Sequence, residues 1–166
     1  NETARIAVRA SITGHLVLST VHTNNSLTTI ERLIDMEVER YLLGSALTGI
    51  ISQKLVKKLC PRCRSTRPTN EYERSLIKKH LGITVPEVYI PVGCKYCNHG
   101  FTGRVAIHEV LTINEDIRDA ITTNMNRKEL KKLVYNSKED ITTMFEDGLK
   151  KAIEGLTTME EILKTI

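Results

Sequence analysis

Four cysteines in two Cys-x-x-Cys pairs, Cys60 with Cys63 and Cys94 with Cys97, constrain this chain more than any other feature. Each spacing fits a tight turn that aims two thiolates at one ion, and two such turns supply the four tetrahedral ligands of a structural zinc site. All the cysteines of the chain are used this way. Disulfides are disfavoured in the reducing compartment expected here, and a thioredoxin-like redox role needs one pair only. Four thiolates leave no open coordination position, so the expected metal holds the thirty residues between the pairs in shape and catalyses nothing. His99 and His108 lie near enough in sequence to replace a cysteine and read as bystanders.

At 166 residues the chain makes one domain, or one domain with a small appendage. No tryptophan and only two phenylalanines make the expected core aliphatic. The longest apolar runs fall far short of the roughly 20 residues of a membrane span, and no signal-like segment opens the chain, so a soluble, cytoplasmic protein is expected. The net charge of +4 is mild but uneven. Lys54, Lys57, Lys58, Arg62, Arg64 and Arg67 fall in one stretch with no acid between them. They read either as a patch for an anionic partner or as the solvated edge of a strand, and without interleaved aromatics they make a poor nucleic-acid footprint.

Along the chain, Ala4, Ala7, Val8, Ser11 and Ile12 recur at helical spacing up to Gly14, predicting a helix of small residues packed on a sheet. The apolar run from Leu16 between His15 and His22 reads as a strand buried on both faces, which belongs in a parallel sheet. Ligands of such sheets bind beyond the carboxyl ends of the strands, where His22, Thr23 and Asn24 stand; His15 lies at the other end. Ser26 is the expected N-cap of a helix carrying Leu27, Ile30, Leu33 and Ile34, whose N-terminal dipole suits an anion such as a phosphate. A short helix over Tyr41 to Leu47 and a strand over Ile50 to Leu59, with Ile51, Leu55 and Val56 as its apolar residues, lead into the first cysteine pair. The excursion between the pairs has a helix near Tyr72 to His80, punctuated by Pro68, Pro86 and Pro91. A strand over Val105 to Leu111 precedes four helical faces: Ile113 to Ile121, Leu130 to Val134, Met144 to Ile153, and Met159 to Ile166. Capping boxes at Thr143 with Glu146 and Thr157 with Glu160, and a stop at Gly155, complete a helical bundle expected to close over the sheet.

The stretch Thr13 to Asn25 resembles the histidine box of the secretion traffic ATPases, the hexameric motors of type II secretion and type IV pilus assembly. Asn1-Glu2-Thr3-Ala4 resembles the residues immediately after that family's acidic Gly-Glu-Ile-Arg-Asp segment, and Glu31-Arg32-Leu33-Ile34-Asp35-Met36 is similar to its next helix. The cysteine module resembles the C-terminal extension of secretion and pilus-extension members; retraction motors usually lack the cysteines. Gly103-Arg104 leading to His108-Glu109, and Glu146 to Lys151 leading to Gly155-Leu156-Thr157-Thr158, are similar to the segments beyond the zinc module in those members.

The resemblance implies an α/β fold. Residues 1–59 would be the C-terminal part of a RecA-like nucleotide-binding domain with a mostly parallel sheet, 60–103 a tetracysteine zinc module, and 104–166 a strand and helical bundle. It implies ATP hydrolysis with Mg²⁺ in a hexamer at the cytoplasmic face of the membrane, working with an inner-membrane platform protein and other assembly-machine components. His15 or His22 would contact the γ-phosphate as catalytic residues, with His22, Thr23, Arg32 and Arg104 as nucleotide or inter-subunit contacts. Phosphoryl transfer also needs a Gly-x-x-x-x-Gly-Lys-Ser or Thr loop and a Mg²⁺-holding acid. The sequence contains no such loop, so the chain alone is expected to be inactive. Two other readings stand beside this one: a zinc-ribbon module gripping nucleic acid through the basic stretch, and an inactive fragment that docks with a membrane-embedded protein.

Overall fold

Helices capped by asparagine and threonine alternate with short strands in the computed structural model, which describes residues 2–136 and 141–165. Asn1 of the opening segment and Ile166 of the last helical face lie outside the described residues. In order come α1 (Glu2–Ile12), α2 (Ser26–Asp35), α3 (Arg40–Ala46), β1 (Gly49–Leu59), β2 (Ser65–Pro68), α4 (Glu71–Leu81) and β3 (Glu87–Ile90). They are followed by β4 (Phe101–Thr112), α5 (Glu115–Thr122), α6 (Arg127–Asn136), β5 (Ile141–Thr142), α7 (Met144–Ile153) and α8 (Met159–Leu163). The fold is mixed α/β. One sheet has the order β1-β4-β5, and β2 pairs with β3 in a second.

The chain divides into two compact units, Asn1–Ser52 with Glu109–Thr142, and Gln53–His108 with Thr143–Ile166. The first is built on an aliphatic core of Ile30, Leu43, Leu111, Ile117, Ile121 and Val134, with Ala4 and Val8 packed against it. Helix α3 meets α5 at Gly44, where a Cβ would stand 2.5 Å from the Thr122 hydroxyl and 3.2 Å from the Arg118 carbonyl. The missing side chain lets the two backbones approach, and Arg118 donates to the Gly44 carbonyl across the contact.

The second unit packs Val56, Ile77, Val88, Ile107, Leu149, Met159 and Ile162 together. Its excursion is closed by the antiparallel β2–β3 ladder, in register from Ser65 opposite Ile90 to Pro68 opposite Glu87. Between those strands, Asn70 and Glu73 form a capping box at the start of α4. Glu73 is buried there, and Arg67 grips its carboxylate with two bonds of 2.8 and 2.6 Å. These bonds hold the Glu73 carboxyl below its usual range and raise Arg67. Such a pair offsets the cost of a buried charge only while both members remain.

Several expectations are corrected. The run after His15 is not a strand: it has no regular secondary structure and no strand partner among the described residues, and Leu16 and Leu18 are 88% and 87% exposed. A strand forms only against a neighbour that takes its backbone hydrogen bonds, and none among the described residues pairs with this one. With that run outside any sheet the expected parallel sheet has no support: β4 pairs with β5, like β2 with β3, antiparallel. Helix α1 packs on α3 rather than on a sheet. In β1 the alternation buries Ile50, Ser52, Val56 and Leu59 and leaves Ile51 and Leu55 exposed. Asn25, not Ser26, caps α2, and Thr158, not Thr157, caps α8; the Thr157 side chain is turned to the Lys57 carbonyl, to which its hydroxyl donates at 2.8 Å. The expected single C-terminal bundle has no support: α5 packs with α6 in the first unit, and α7 with α8 in the second.

Removing Arg67 would strand a buried carboxylate. R67A is expected to destabilise the second unit by roughly 3 kcal/mol in urea denaturation at pH 7, and R67A/E73L by much less. Because the folded Glu73 carboxyl lies below its ordinary value of 4.5, its contribution is present above that pH and is lost as pH falls through the lowered value. The gap between wild type and R67A/E73L should therefore narrow in denaturation curves taken at progressively lower pH.

Candidate metal centre and histidine segment

Strand β1 runs straight into Cys60, whose N–H donates to the Gly100 carbonyl at 2.8 Å while its own carbonyl accepts from Arg64 N–H at 3.1 Å. The second pair turns likewise, with Cys97 N–H on the Cys94 carbonyl at 3.2 Å and Cys94 N–H on the Cys97 Sγ at 3.2 Å. These turns bring all four sulfurs within 4.8 Å of one another. The separations are 4.0 Å for Cys60 to Cys94 and 3.7 Å for both Cys63 to Cys97 and Cys94 to Cys97. Metal–sulfur bonds of about 2.3 Å at tetrahedral angles place sulfurs about 3.8 Å apart, so the cluster fits one tetrahedral ion. It also lies far outside disulfide length, about 2.05 Å. Gly100 is required beside it: at φ 87° a Cβ would fall 2.4 Å from the Pro91 side chain.

Burial pushes the Cys63 thiol up to about 12. Burial also acts on Cys97, but N–H groups of Cys94 and Gly100 outweigh it and bring that thiol to about 7. Across the two turns, the Arg62 guanidinium stacks 4.4 Å over the Tyr96 ring. His99 and His108 are not in the cluster. His108 lies instead 3.4 Å from the Lys151 ammonium and 3.7 Å from the Asp147 carboxylate.

Most of the basic stretch is committed internally. Lys54 donates to the Thr165 carbonyl at 3.2 Å, Lys57 lies over the Phe101 ring, and Arg67 holds Glu73. Arg64 donates to the Gly155 carbonyl beyond the end of α7 and stacks on Tyr89. The aromatic partners absent from the stretch itself come from β3, β4 and the second cysteine turn, and they serve packing.

In the first unit, α1 ends at Gly14, φ 95°, with His15 N–H bonded back to the Ala10 carbonyl at 3.1 Å. The His15 ring folds onto that terminus, its Nδ1 3.2 Å from both Ala10 O and Thr13 Oγ1. His22 is exposed and has no hydrogen-bond partner among the described residues. The two histidines are therefore not joined to each other. Thr23 bonds Thr29 hydroxyl to hydroxyl at 2.6 Å, and Asn25 Oδ1 accepts from Thr28 N–H at 2.8 Å. Arg32 and Arg104 are exposed and form no ion pair among the described residues; the paired acid on α2 is Glu31, 2.8 Å from Arg127.

One buried residue of this region was recognised only as part of a motif. Glu109, 5% exposed on β4, accepts the Ser26 N–H at 2.7 Å. It also accepts from the Tyr135 phenol, which burial and this carboxylate together push up to about 12. The signal in the sequence is an acid inside the run Val105 to Leu111, whose remaining residues are apolar apart from His108.

Comparison with known proteins adds the decisive observation: the family model described as "Type II/IV secretion system protein" matches residues 1–164. The chain belongs to this family. Within the type II/IV secretion system proteins, it is 43% identical over 164 residues to type II secretion system protein E of Aeromonas hydrophila, covering 98% of this chain and 32% of that protein. It is 40% identical over 165 residues to the type IV pilus assembly ATPase PilB of Thermus thermophilus, covering 98% of this chain and 18% of PilB. The chain thus spans about a third or less of the curated relatives it matches. Among solved structures, the pilus retraction motor PilT with bound ADP superposes with a TM-score of 0.59 at 27% identity, over 99% of this chain and 36% of PilT. The ATPase DotB of Legionella pneumophila shares the fold at a TM-score of 0.61 and 22% identity, over 99% of this chain and 35% of DotB. No described helix is long and apolar enough to cross a membrane.

The cysteine geometry predicts one metal ion per chain by elemental analysis, lost in C63S/C97S. The β2–β3 ladder ties residues 65–68 to 87–90 by backbone pairing that uses no cysteine, so chelation should speed amide exchange at residues 60–64 and 93–101 far more than at 65–90.

Proposed function

We propose that this chain is the C-terminal portion of a hexameric RecA-like motor ATPase that powers type II secretion or type IV pilus assembly. The observation that carries the reading is 43% identity, over 98% of the chain, to a type II secretion system protein E. The four-sulfur cluster supports zinc in particular, since thiolate ligands alone in tetrahedral array suit that ion. With all four positions filled by Cys60, Cys63, Cys94 and Cys97, zinc supplies shape and no chemistry. The longer protein brings the phosphate-binding loop and the Mg²⁺ site, so the chain alone hydrolyses no ATP. It works at the cytoplasmic face of the membrane, against an inner-membrane platform protein.

In this reading His22 contacts the γ-phosphate, with Thr23 beside it, while His15 keeps the end of α1 in place. An exposed, unpartnered imidazole just ahead of a capped helix start supports that division of roles. Leu16 and Leu18, exposed here, form the face that neighbouring segments of the longer protein would cover. Arg32 and Arg104, unpaired, are available to phosphate or to an adjacent subunit. The basic stretch is committed to internal contacts, which weighs against the nucleic-acid reading.

The test is H22A in the full-length motor. Loss of a contact made to the transferring phosphoryl group should lower ATP turnover by roughly 100-fold or more while bound zinc stays at one per chain. Turnover at the wild-type level would overturn the assignment.

A further inference from the structure

The buried carboxylate of Glu109 has no part in the function proposed above, yet its surroundings are specific. The other hydrogen bonds described for residues 22–26 reach no further than six positions along the chain: Thr23 to Thr29, Asn25 to Thr28 and Thr29. These local bonds shape the turn but cannot say where it stands. The bond from Ser26 N–H to Glu109 spans 83 positions and fixes it from outside. It is a short, charge-assisted bond at the positive end of α2, the place where a buried carboxylate is best tolerated. The second partner is Tyr135, on α6. Helix α6 also meets α2 through the Arg127–Glu31 pair, and Asn25 and Leu27 line one cavity with Arg127, Lys131 and Tyr135.

A buried charge is costly even when paired, and an apolar residue at a β4 position facing this core would be the cheaper choice for stability alone. We propose that Glu109 is a positioning residue for the histidine segment: holding the Ser26 amide and the Tyr135 phenol at once, it sets where His22 and Thr23 stand and ties their movement to α6. A displacement of the start of α2 must then lengthen the bond from Ser26 or carry the carboxylate, and with it the phenol. This rests on the reading of His22 as a phosphate contact.

The experiment compares the wild-type full-length motor with E109Q, which keeps the shape and one acceptor oxygen but loses the charge. Amide exchange is followed with and without a non-hydrolysable ATP analogue. In E109Q, residues 22–28 should exchange at least about tenfold faster, and the protection that the analogue confers on residues 127–135 in wild type should vanish. Turnover should fall about 10- to 100-fold with KM for ATP little changed, the size expected when a group that orients a functional contact is lost. Double mutant H22A/E109Q should be no slower than H22A. Unchanged exchange at 22–28, or exchange faster throughout α3 and α5 as well, would overturn the proposal, the second because it marks Glu109 as a general prop of the core. Wild-type turnover in H22A would instead overturn the phosphate-contact reading, while the exchange comparison would still decide the tie through Glu109.

Discussion

Four sulfurs within 4.8 Å of one another are a demanding arrangement, because each turn must present both its thiols to the same point. The second unit is arranged to meet that demand. Strand β1 delivers Cys60, the Gly100 carbonyl holds its amide, and Gly100 exists because Pro91 leaves no room for a side chain. Arg62 on Tyr96 clasps one turn to the other, and Arg64 bonds just beyond α7, so the cations after the first pair serve the same frame.

The first unit solves a different problem, that of placing an exposed segment. His22 faces solvent while the turn after it is buried at Ser26, Leu27, Thr29 and Ile30. The peptide groups there must find partners away from water. Asn25 and Thr29 supply some locally, and Glu109 supplies one from a strand distant in sequence. A polar tie inside an apolar core allows few alternative arrangements, which suits a segment whose function would depend on position.

What could be read from the sequence divides along physical lines. The cysteine cluster was legible because metal-ligand spacing is local: two residues between thiols determine the turn. Helices α1, α2 and α5 to α8 were legible from apolar periodicity, and the capping box at Thr143 with Glu146 from its spacing. The caps at Asn25 and Thr158 were misplaced by one residue because two adjacent side chains could each serve, and tertiary partners made the choice. Strand pairing was the least legible. The run after His15 has strand-like residues but no strand partner among the described residues, while β2, reading Ser-Thr-Arg-Pro, lacks a strand-like pattern and yet pairs with β3 across the excursion. Of the candidate site, the resemblance of Thr13 to Asn25 to a histidine box pointed to His15 and His22, but nothing local announced that Glu109 reaches Ser26.

The β2–β3 ladder also determines how much chain entropy a bound ion must overcome. Between Cys63 and Cys94 lies a loop of thirty residues, and closing a free loop of that length is entropically costly. Ser65 opposite Ile90 reduces the segments still to be closed to Arg64 on one side and Pro91, Val92 and Gly93 on the other. An ion binding there would meet a ring already nearly shut, so its affinity would depend little on the length of the excursion.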